Sequence, residues 1–113
     1  RNHKGLDIAA APGTPIRPVR PGTVVSSGER GGFGNVVVVD HGDGVTSLYA
    51  HCKDLLVKKG DRVGRGDTIA TVGSTGRSTG PHLHLEIHRD GVAVDPMTEL
   101  KKSLHESPSL AKR

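Results

Sequence analysis

Residues 36–51 read VVVVDHGDGVTSLYAH, and this stretch describes a β-hairpin. Two apolar segments flank Asp43-Gly44, a dipeptide that supplies the residues with positive φ that a tight hairpin turn requires. The first segment is a continuous run of four valines rather than an alternating pattern. A strand buried on both faces has this composition, so we expect the run to lie at the centre of a sheet.

A second hairpin follows in residues 83–94, LHLEIHRDGVAV, with its turn at Asp90-Gly91. Its first strand alternates strictly, which is typical of a half-buried strand with two different faces. Polar residues face solvent on many half-buried strands, so residues elsewhere in the chain decide whether this face carries a site. One face presents His82, His84, Glu86 and His88, and the other presents Leu83, Leu85 and Ile87.

Turn signals recur every eight to twelve residues along the chain, with short apolar segments between them. This spacing predicts an all-β fold, a compact antiparallel β-sandwich or barrel. Residues 57–73, VKKGDRVGRGDTIATVG, resemble the half-motif of lipoyl and biotinyl carrier domains, which implies a duplicated hybrid motif. Asp95-Pro96 predicts the start of a short C-terminal helix, because proline favours the first helical position.

Composition limits the function. The 113 residues suit one domain, and we expect residues 1–98 to form it, with a helical turn and loose tail over 99–113, as part of a longer protein. The net charge of +4 suits an anionic polymer such as a cell wall. Only Phe33 and Tyr49 are aromatic, which argues against nucleic acid. No apolar run approaches the roughly 20 residues of a membrane span.

Histidines and carboxylates recur outside the second hairpin. His3 and Asp7 could bind one metal only if the backbone bends between them, and Gly5 is where it could bend. His51 ends the segment after the first turn. Strand parity places Tyr49 on the face of His51 and places the single cysteine, Cys52, on the opposite face, which argues against a Cys–His nucleophile.

Three separated segments together resemble the lysostaphin-like (LytM-type) zinc metallopeptidases. They are HKGLDIAAAPGTPI (3–16), GFGNVVVVDHGDGVTSLYAH (32–51) and the stretch from VKKGD to AVDP (57–96). Within them lie three motifs in the same order as in that family: H-x-x-x-D, a lone histidine after Tyr-Ala, and H-x-H after Gly-Pro. Each motif is weak alone, and their combination is specific.

The resemblance implies one Zn²⁺ per domain, held by His3, Asp7 and His84, with His51 and His82 as catalytic histidines. The residues alone leave open which of His82 and His84 would bind the metal. Three protein ligands leave a fourth position for water, as catalytic zinc sites do. In the family, loops such as 73–80 wall the substrate groove. The predicted substrate contacts are Asn35, Tyr49, Ser78 and Thr79.

The resemblance further implies an endopeptidase that cuts peptide bonds of peptidoglycan in the bacterial cell envelope, periplasmic or secreted. Stem-peptide cross-links and glycine-containing bridges both remain open as substrates. The main alternative is a non-enzymatic regulator of partner wall hydrolases, or a site masked by an inhibitory segment elsewhere in the protein. Two histidines and one carboxylate also describe iron oxygenases. A carrier domain would need a hairpin lysine, which this sequence lacks.

Overall fold

The computed structural model describes the backbone of residues 5–106 and the side chains of residues 5–101. Every strand pairing in this range is antiparallel. The strands are β1 (Gly5–Ala9), β2 (Pro15–Ile16), β3 (Gly22–Glu29), β4 (Asn35–Gly42), β5 (Val45–Leu55), β6 (Arg62–Val63), β7 (Ala70–Val72), β8 (His82–Arg89) and β9 (Val92–Val94); a 3₁₀ turn spans Gly31–Phe33 and helix α1 spans Pro96–Glu106.

The valine run lies at the centre of the sheet, as the sequence predicts. The strand order along the main path is β1-β8-β5-β4-β3-β6, so β4 has a partner on each side. Val36, Val37 and Val39 have no exposed surface. A continuous apolar run therefore does mark a strand that is covered on both faces.

Strand β5 belongs to two parts of the fold. Residues 45–50 pair with β8, and the pairing with β4 extends to Cys52. Cys52 and Leu55 pair with β7, which in turn pairs with β2. The change of direction follows His51, whose φ is 63°. This bend wraps the sheet around one apolar core, which confirms the predicted antiparallel all-β fold. The core contains Ile16, Val24, Val37, Val39, Tyr49, Cys52, Val63, Ile69, Ala70, Val72 and Leu85.

Both predicted hairpin turns are present. Asp43 and Gly44 have φ of 53° and 78°, and Asp90 and Gly91 have φ of 54° and 81°, the left-handed pair that a tight hairpin turn needs. The two tips also touch, since the Asp90 N–H donates to the Gly44 carbonyl at 2.8 Å. The hairpins are thereby aligned side by side, and β5 pairs with β8 over six residues.

Helix α1 begins where Asp95-Pro96 predicts and runs to Glu106. The Asp95 carboxylate caps it by accepting from the Met97 N–H at 3.0 Å. The buried Glu99 pairs with Arg89 of β8 at 2.8 Å, which anchors the helix to the sheet. The described part of the chain contains no helix with the length and apolar character needed to cross a membrane. The division of the chain at residues 98–99 stays a prediction.

Candidate metal and catalytic centre

Strands β1 and β8 bring Asp7 and His84 together. The two residues are direct partners in the strand register, and the Asp7 Oδ1 lies 2.7 Å from the His84 Nδ1. Gly5, two residues before Asp7, packs its backbone against the His84 ring, since a Cβ there would lie 2.5 Å from Cε1. A side chain at position 5 would push the imidazole away from Asp7. Gly5 itself lies in strand β1, and this close approach is the observed reason for glycine there. The bend predicted between His3 and Asp7 involves residues outside the described range and stays a prediction.

The His84 ring lies between two carboxylates. Its Nε2 is 2.8 Å from the Glu86 Oε2, and the other oxygen of Glu86 is 2.9 Å from the His88 Nε2. Burial alone would lower the pKa of His84, but Glu86 and Asp7 outweigh it and hold that pKa above 6.5. Burial alone would raise the pKa of Glu86, yet hydrogen bonds from both histidines hold it below 4.5.

The surroundings of His84 suit a cation. A neutral imidazole has one N–H and one lone pair, so it cannot donate to both carboxylates. Either the ring is protonated, or its Nε2–H donates to Glu86 while the Nδ1 lone pair faces a cation shared with Asp7. Nitrogen and oxygen donors of this kind are what zinc prefers, and a carboxylate behind the ligating histidine is a common support. Asp7 and His84 therefore fit a zinc site.

The third predicted ligand, His3, lies outside the described residues. Within residues 5–101, no group of three or more histidine, cysteine or acidic side chains is arranged around a common metal position. The described residues thus bring together two of the three predicted ligands. The complete ligand set of His3, Asp7 and His84 stays a prediction.

The two predicted catalytic histidines are neighbours beside this pair. The ring centroids of His51 and His82 are 5.0 Å apart, and those of His51 and His84 are 6.0 Å apart. The His82 Nε2 lies 3.5 Å from the Asp7 Oδ1. Four predicted site residues that span 78 positions of sequence therefore converge at one place in the fold.

A groove of about 250 Å³ opens beside these histidines. The Phe33 ring lines it and stacks against the His84 ring, with centroids 6.0 Å apart. The residues that line the groove are Gly32, Phe33, His51, Arg77 and His84.

The prediction that Tyr49 contacts substrate is wrong. Tyr49 is only 1% exposed and packs in the core on the opposite side of the sheet from His84. Its hydroxyl is engaged by Ser47 at 2.6 Å and by the Val19 N–H at 2.9 Å. The parity argument failed because the positive φ of His51 interrupts the alternation and returns the imidazole to the face of Ala50 and His84.

The single cysteine also lies in the core. Cys52 has no exposed surface, and its thiol contacts the Tyr49 carbonyl at 3.4 Å. Burial raises the pKa of the Cys52 thiol to about 12, so the thiolate that a nucleophile needs is absent at neutral pH.

The other predicted substrate contacts lie around the loop that precedes β8. Asn35 uses its amide to donate to the Lys53 carbonyl at 3.3 Å, and Thr79 is exposed. The Ser78 hydroxyl donates to the Gly80 carbonyl at 2.6 Å and lies 3.2 Å from the His82 Nδ1. The roles of Asn35, Ser78 and Thr79 in substrate binding stay predictions.

Two residues of this region, Glu86 and Thr75, are not among the predicted site residues. Glu86 contacts His84 directly, and its position on the same face of β8 was the available signal. Thr75 accepts a hydrogen bond from the His51 ring through its carbonyl oxygen at 2.7 Å. Every residue has a carbonyl, so no sequence pattern could have identified Thr75.

The sequence model of peptidase family M23 matches residues 1–96. The chain belongs to peptidase family M23. Among curated proteins it is 46% identical over 98 residues to the DD-carboxypeptidase/endopeptidase Mpg of Neisseria meningitidis. It is 43% identical over 93 residues to the murein hydrolase activator EnvC of Escherichia coli. The matches cover 87% and 82% of this chain but only 23% and 22% of those proteins.

Solved M23 structures share the fold. The catalytic domain of lysostaphin from Staphylococcus simulans superposes with a TM-score of 0.81 at 37% identity, covering 88% of this chain and 79% of that one. A zinc-containing peptidase from Vibrio cholerae gives a TM-score of 0.80 at 40% identity, covering 84% of this chain and 29% of that one. The resemblance to lysostaphin-like peptidases is therefore confirmed.

Proposed function

We propose that this M23 chain is a zinc-dependent endopeptidase that hydrolyses peptide bonds in bacterial peptidoglycan. The observation that carries the proposal is the convergence of Asp7, His84, His51 and His82 beside one open groove. A cluster of titratable side chains beside a groove is typical of a functional site and is not needed to stabilise a sheet surface.

The metal would be held by His3, Asp7 and His84, with Glu86 behind the His84 ring. When bound, zinc lowers the pKa of a coordinated water toward about 7 and polarises the scissile carbonyl. The hydrogen bond from the His84 Nε2 to Glu86 keeps the opposite nitrogen directed at Asp7. Glu86 thereby selects the tautomer of His84 that can act as a ligand.

His51 and His82 are the side chains proposed to transfer protons during hydrolysis. Both rings lie beside the Asp7–His84 pair, and the His82 Nε2 is 3.5 Å from the Asp7 Oδ1. Either imidazole can take a proton from the attacking water, and either imidazolium can stabilise the oxyanion or protonate the leaving amine.

The groove and the relatives support the proposed substrate. An open groove beside the site suits an extended peptide better than a small enclosed ligand. The Neisseria relative is a DD-carboxypeptidase/endopeptidase, and lysostaphin is described as an antimicrobial peptidase. A peptidoglycan peptide as substrate and the bacterial cell envelope as location are part of the proposal.

Digestion of purified peptidoglycans tests this function. Preparations with direct stem-peptide cross-links and with glycine bridges are each incubated with the protein, with and without chelator, and the products are identified by mass. We expect cleavage of one class, loss of activity with chelator and recovery with Zn²⁺. Recovery with Fe²⁺ and oxygen instead of Zn²⁺, or no cleavage of any preparation, contradicts the proposal.

A second candidate function is activation of a partner wall hydrolase, which the 43% identity to EnvC favours. The same assay separates the two functions when a murein hydrolase is added. An activator releases no product alone but raises the rate of the partner. The presence of Asp7, His51, His82 and His84 together favours the enzyme.

A further inference from the structure

The two histidines beside the metal position are held in the same way. The His51 Nδ1 lies 2.7 Å from the Thr75 carbonyl oxygen, and the His82 Nδ1 lies 2.8 Å from the Gly80 carbonyl oxygen. A carbonyl oxygen can only accept, so each Nδ1 must carry the hydrogen. In a neutral ring the Nε2 then has the free lone pair. The His51 ring lines the groove, and the His82 Nε2 lies 3.5 Å from the Asp7 Oδ1.

The Thr75 side chain is held by hydrogen bonds to two neighbouring strands. Its hydroxyl donates to the Cys52 carbonyl at 2.7 Å and accepts from the Asn35 N–H at 3.0 Å. Cys52 is the next residue after His51, and Asn35 begins the neighbouring strand β4. One side chain therefore ties the loop, β4 and β5 together, and the carbonyl of the same residue holds the imidazole.

The backbone around Thr75 leaves little room for movement. Gly34 and Gly76 have φ of 67° and 72°, and the two segments pack backbone against backbone. A Cβ on Gly34 would lie 2.5 Å from the Thr75 carbonyl carbon. The Arg77 N–H donates to the Gly32 carbonyl at 2.8 Å and closes the contact. These contacts fix the position of residues 75–77 relative to His51.

We propose that Thr75 is a positioning residue that holds His51 as the Nδ1–H tautomer with its Nε2 directed to the groove. The inference rests on the proposed function of His51 as a proton acceptor. When water gives a proton to Nε2, the ring becomes an imidazolium whose Nδ1–H still donates to Thr75. The ring can then release that proton from Nε2 to the leaving amine without rotating.

Thr75→Val tests the proposal, because valine keeps the shape and removes both hydroxyl hydrogen bonds. Thr75→Ser restores them. Thr71→Val is the matched control, since the Thr71 hydroxyl also accepts from one backbone N–H, at 3.1 Å from the Asp54 nitrogen, and donates once, at 3.3 Å to the Asp54 carboxylate. It makes these contacts on β7, outside the groove lining.

The tautomer is read from the ¹⁵N chemical shifts of the His51 ring in zinc-loaded protein, at a pH where the ring is neutral. We expect Nδ1–H alone in the wild type, Thr71→Val and Thr75→Ser, and mixed tautomers in Thr75→Val. We expect kcat of Thr75→Val to fall about 10–100-fold, with KM and zinc content within twofold of the wild type. Thr75→Ser recovers the rate.

A wild-type His51 that carries its proton on Nε2 overturns the proposal, and this measurement needs no variant to fold. A fall in kcat without a tautomer change in Thr75→Val also overturns it. If the wild-type tautomer is Nδ1–H but no peptidoglycan is cleaved, the proposed function fails while the assignment of Thr75 stands.

Discussion

At the scale of single residues, Asp7 is shared between two histidines with different proposed roles. Its Oδ1 is 2.7 Å from the His84 Nδ1 and 3.5 Å from the His82 Nε2. His82 and His84 are two positions apart on β8, which separates them by about 6.6 Å on one face of the strand. The proposed ligand His84 and the proposed proton-transfer group His82 can therefore act side by side around Asp7.

The first prediction separates these two roles. His51→Ala and His82→Ala should keep their zinc, because neither is a proposed ligand, while turnover falls about 10²–10⁴-fold. His84→Ala should lose the metal. Elemental analysis and peptidoglycan digestion measure the two quantities on the same samples. Full zinc occupancy in His84→Ala, or near-normal turnover in either of the others, would refute the assigned role.

The second prediction concerns Glu86. Removal of its carboxylate frees the His84 ring to rotate, so Glu86→Ala should bind zinc about 10–100-fold more weakly. Glu86→Gln should lose less, since its amide oxygen can still accept from the His84 Nε2. Competition with a chromophoric chelator gives the affinity. Glu29→Ala, an exposed carboxylate at the end of β3, is the control and should bind zinc like the wild type.

At the scale of secondary-structure elements, the bend of β5 at His51 decides the position of the site. A φ of 63° is uncommon for a residue other than glycine and costs free energy. Such strain is often found at functional sites. Here it turns one imidazole out of the core side of the strand and toward His84, and it redirects the end of β5 to pair with β7.

The third prediction measures that strain. His51→Gly should be more stable to unfolding than His51→Ala by about 1 kcal/mol, because glycine adopts positive φ without a steric penalty. Urea unfolding of both variants gives the difference. Ala50→Gly provides the reference, since Ala50 lies in regular strand and glycine should be destabilising there. Equal stability of the two His51 variants would argue against a strained bend.

At the scale of the whole molecule, a partly buried chain of hydrogen bonds lies on the opposite side of the sheet from the site. The His41 Nδ1–H donates to the Pro21 carbonyl at 2.9 Å, so its Nε2 accepts from the Ser47 hydroxyl at 2.7 Å. Ser47 then accepts from the Tyr49 hydroxyl, which accepts from the Val19 N–H. This order works only while His41 is neutral.

The fourth prediction is the resulting pH dependence of stability. Burial lowers the pKa of His41 below 6.5, and the Arg20 charge lowers it further, while the Pro21 carbonyl and the Asp40 carboxylate oppose the shift. The unfolded chain therefore binds this proton more readily than the folded one. The stability that His41 contributes is complete above pH 6.5 and is lost as the pH falls through 6.5 toward the folded pKa.

Urea unfolding of the wild type and of His41→Gln across this range measures the effect. Glutamine can still accept from Ser47 and donate to Pro21, but it does not titrate. We expect the wild type to lose more stability than His41→Gln as the solution is acidified. Parallel curves for the two proteins would contradict the role of His41.

The sequence by itself determined the hairpins, the central strand and the polar face of β8. These features depend on local chemistry: Asp-Gly dipeptides adopt positive φ, and side chains of a regular strand alternate. Motif resemblance further predicted five site residues. Four of them lie together among the described residues, at His51, His82, His84 and Asp7, whereas His3 lies outside the described range.

Only the tertiary structure decided which side of the sheet His51 and Tyr49 occupy and what holds the two proposed catalytic histidines. One positive φ reverses the alternation after Ala50, and no local pattern announces it. The support of His51 comes from a carbonyl 24 residues away. Backbone acceptors are present at every position, so only the path of the folded chain determines which of them meets an imidazole.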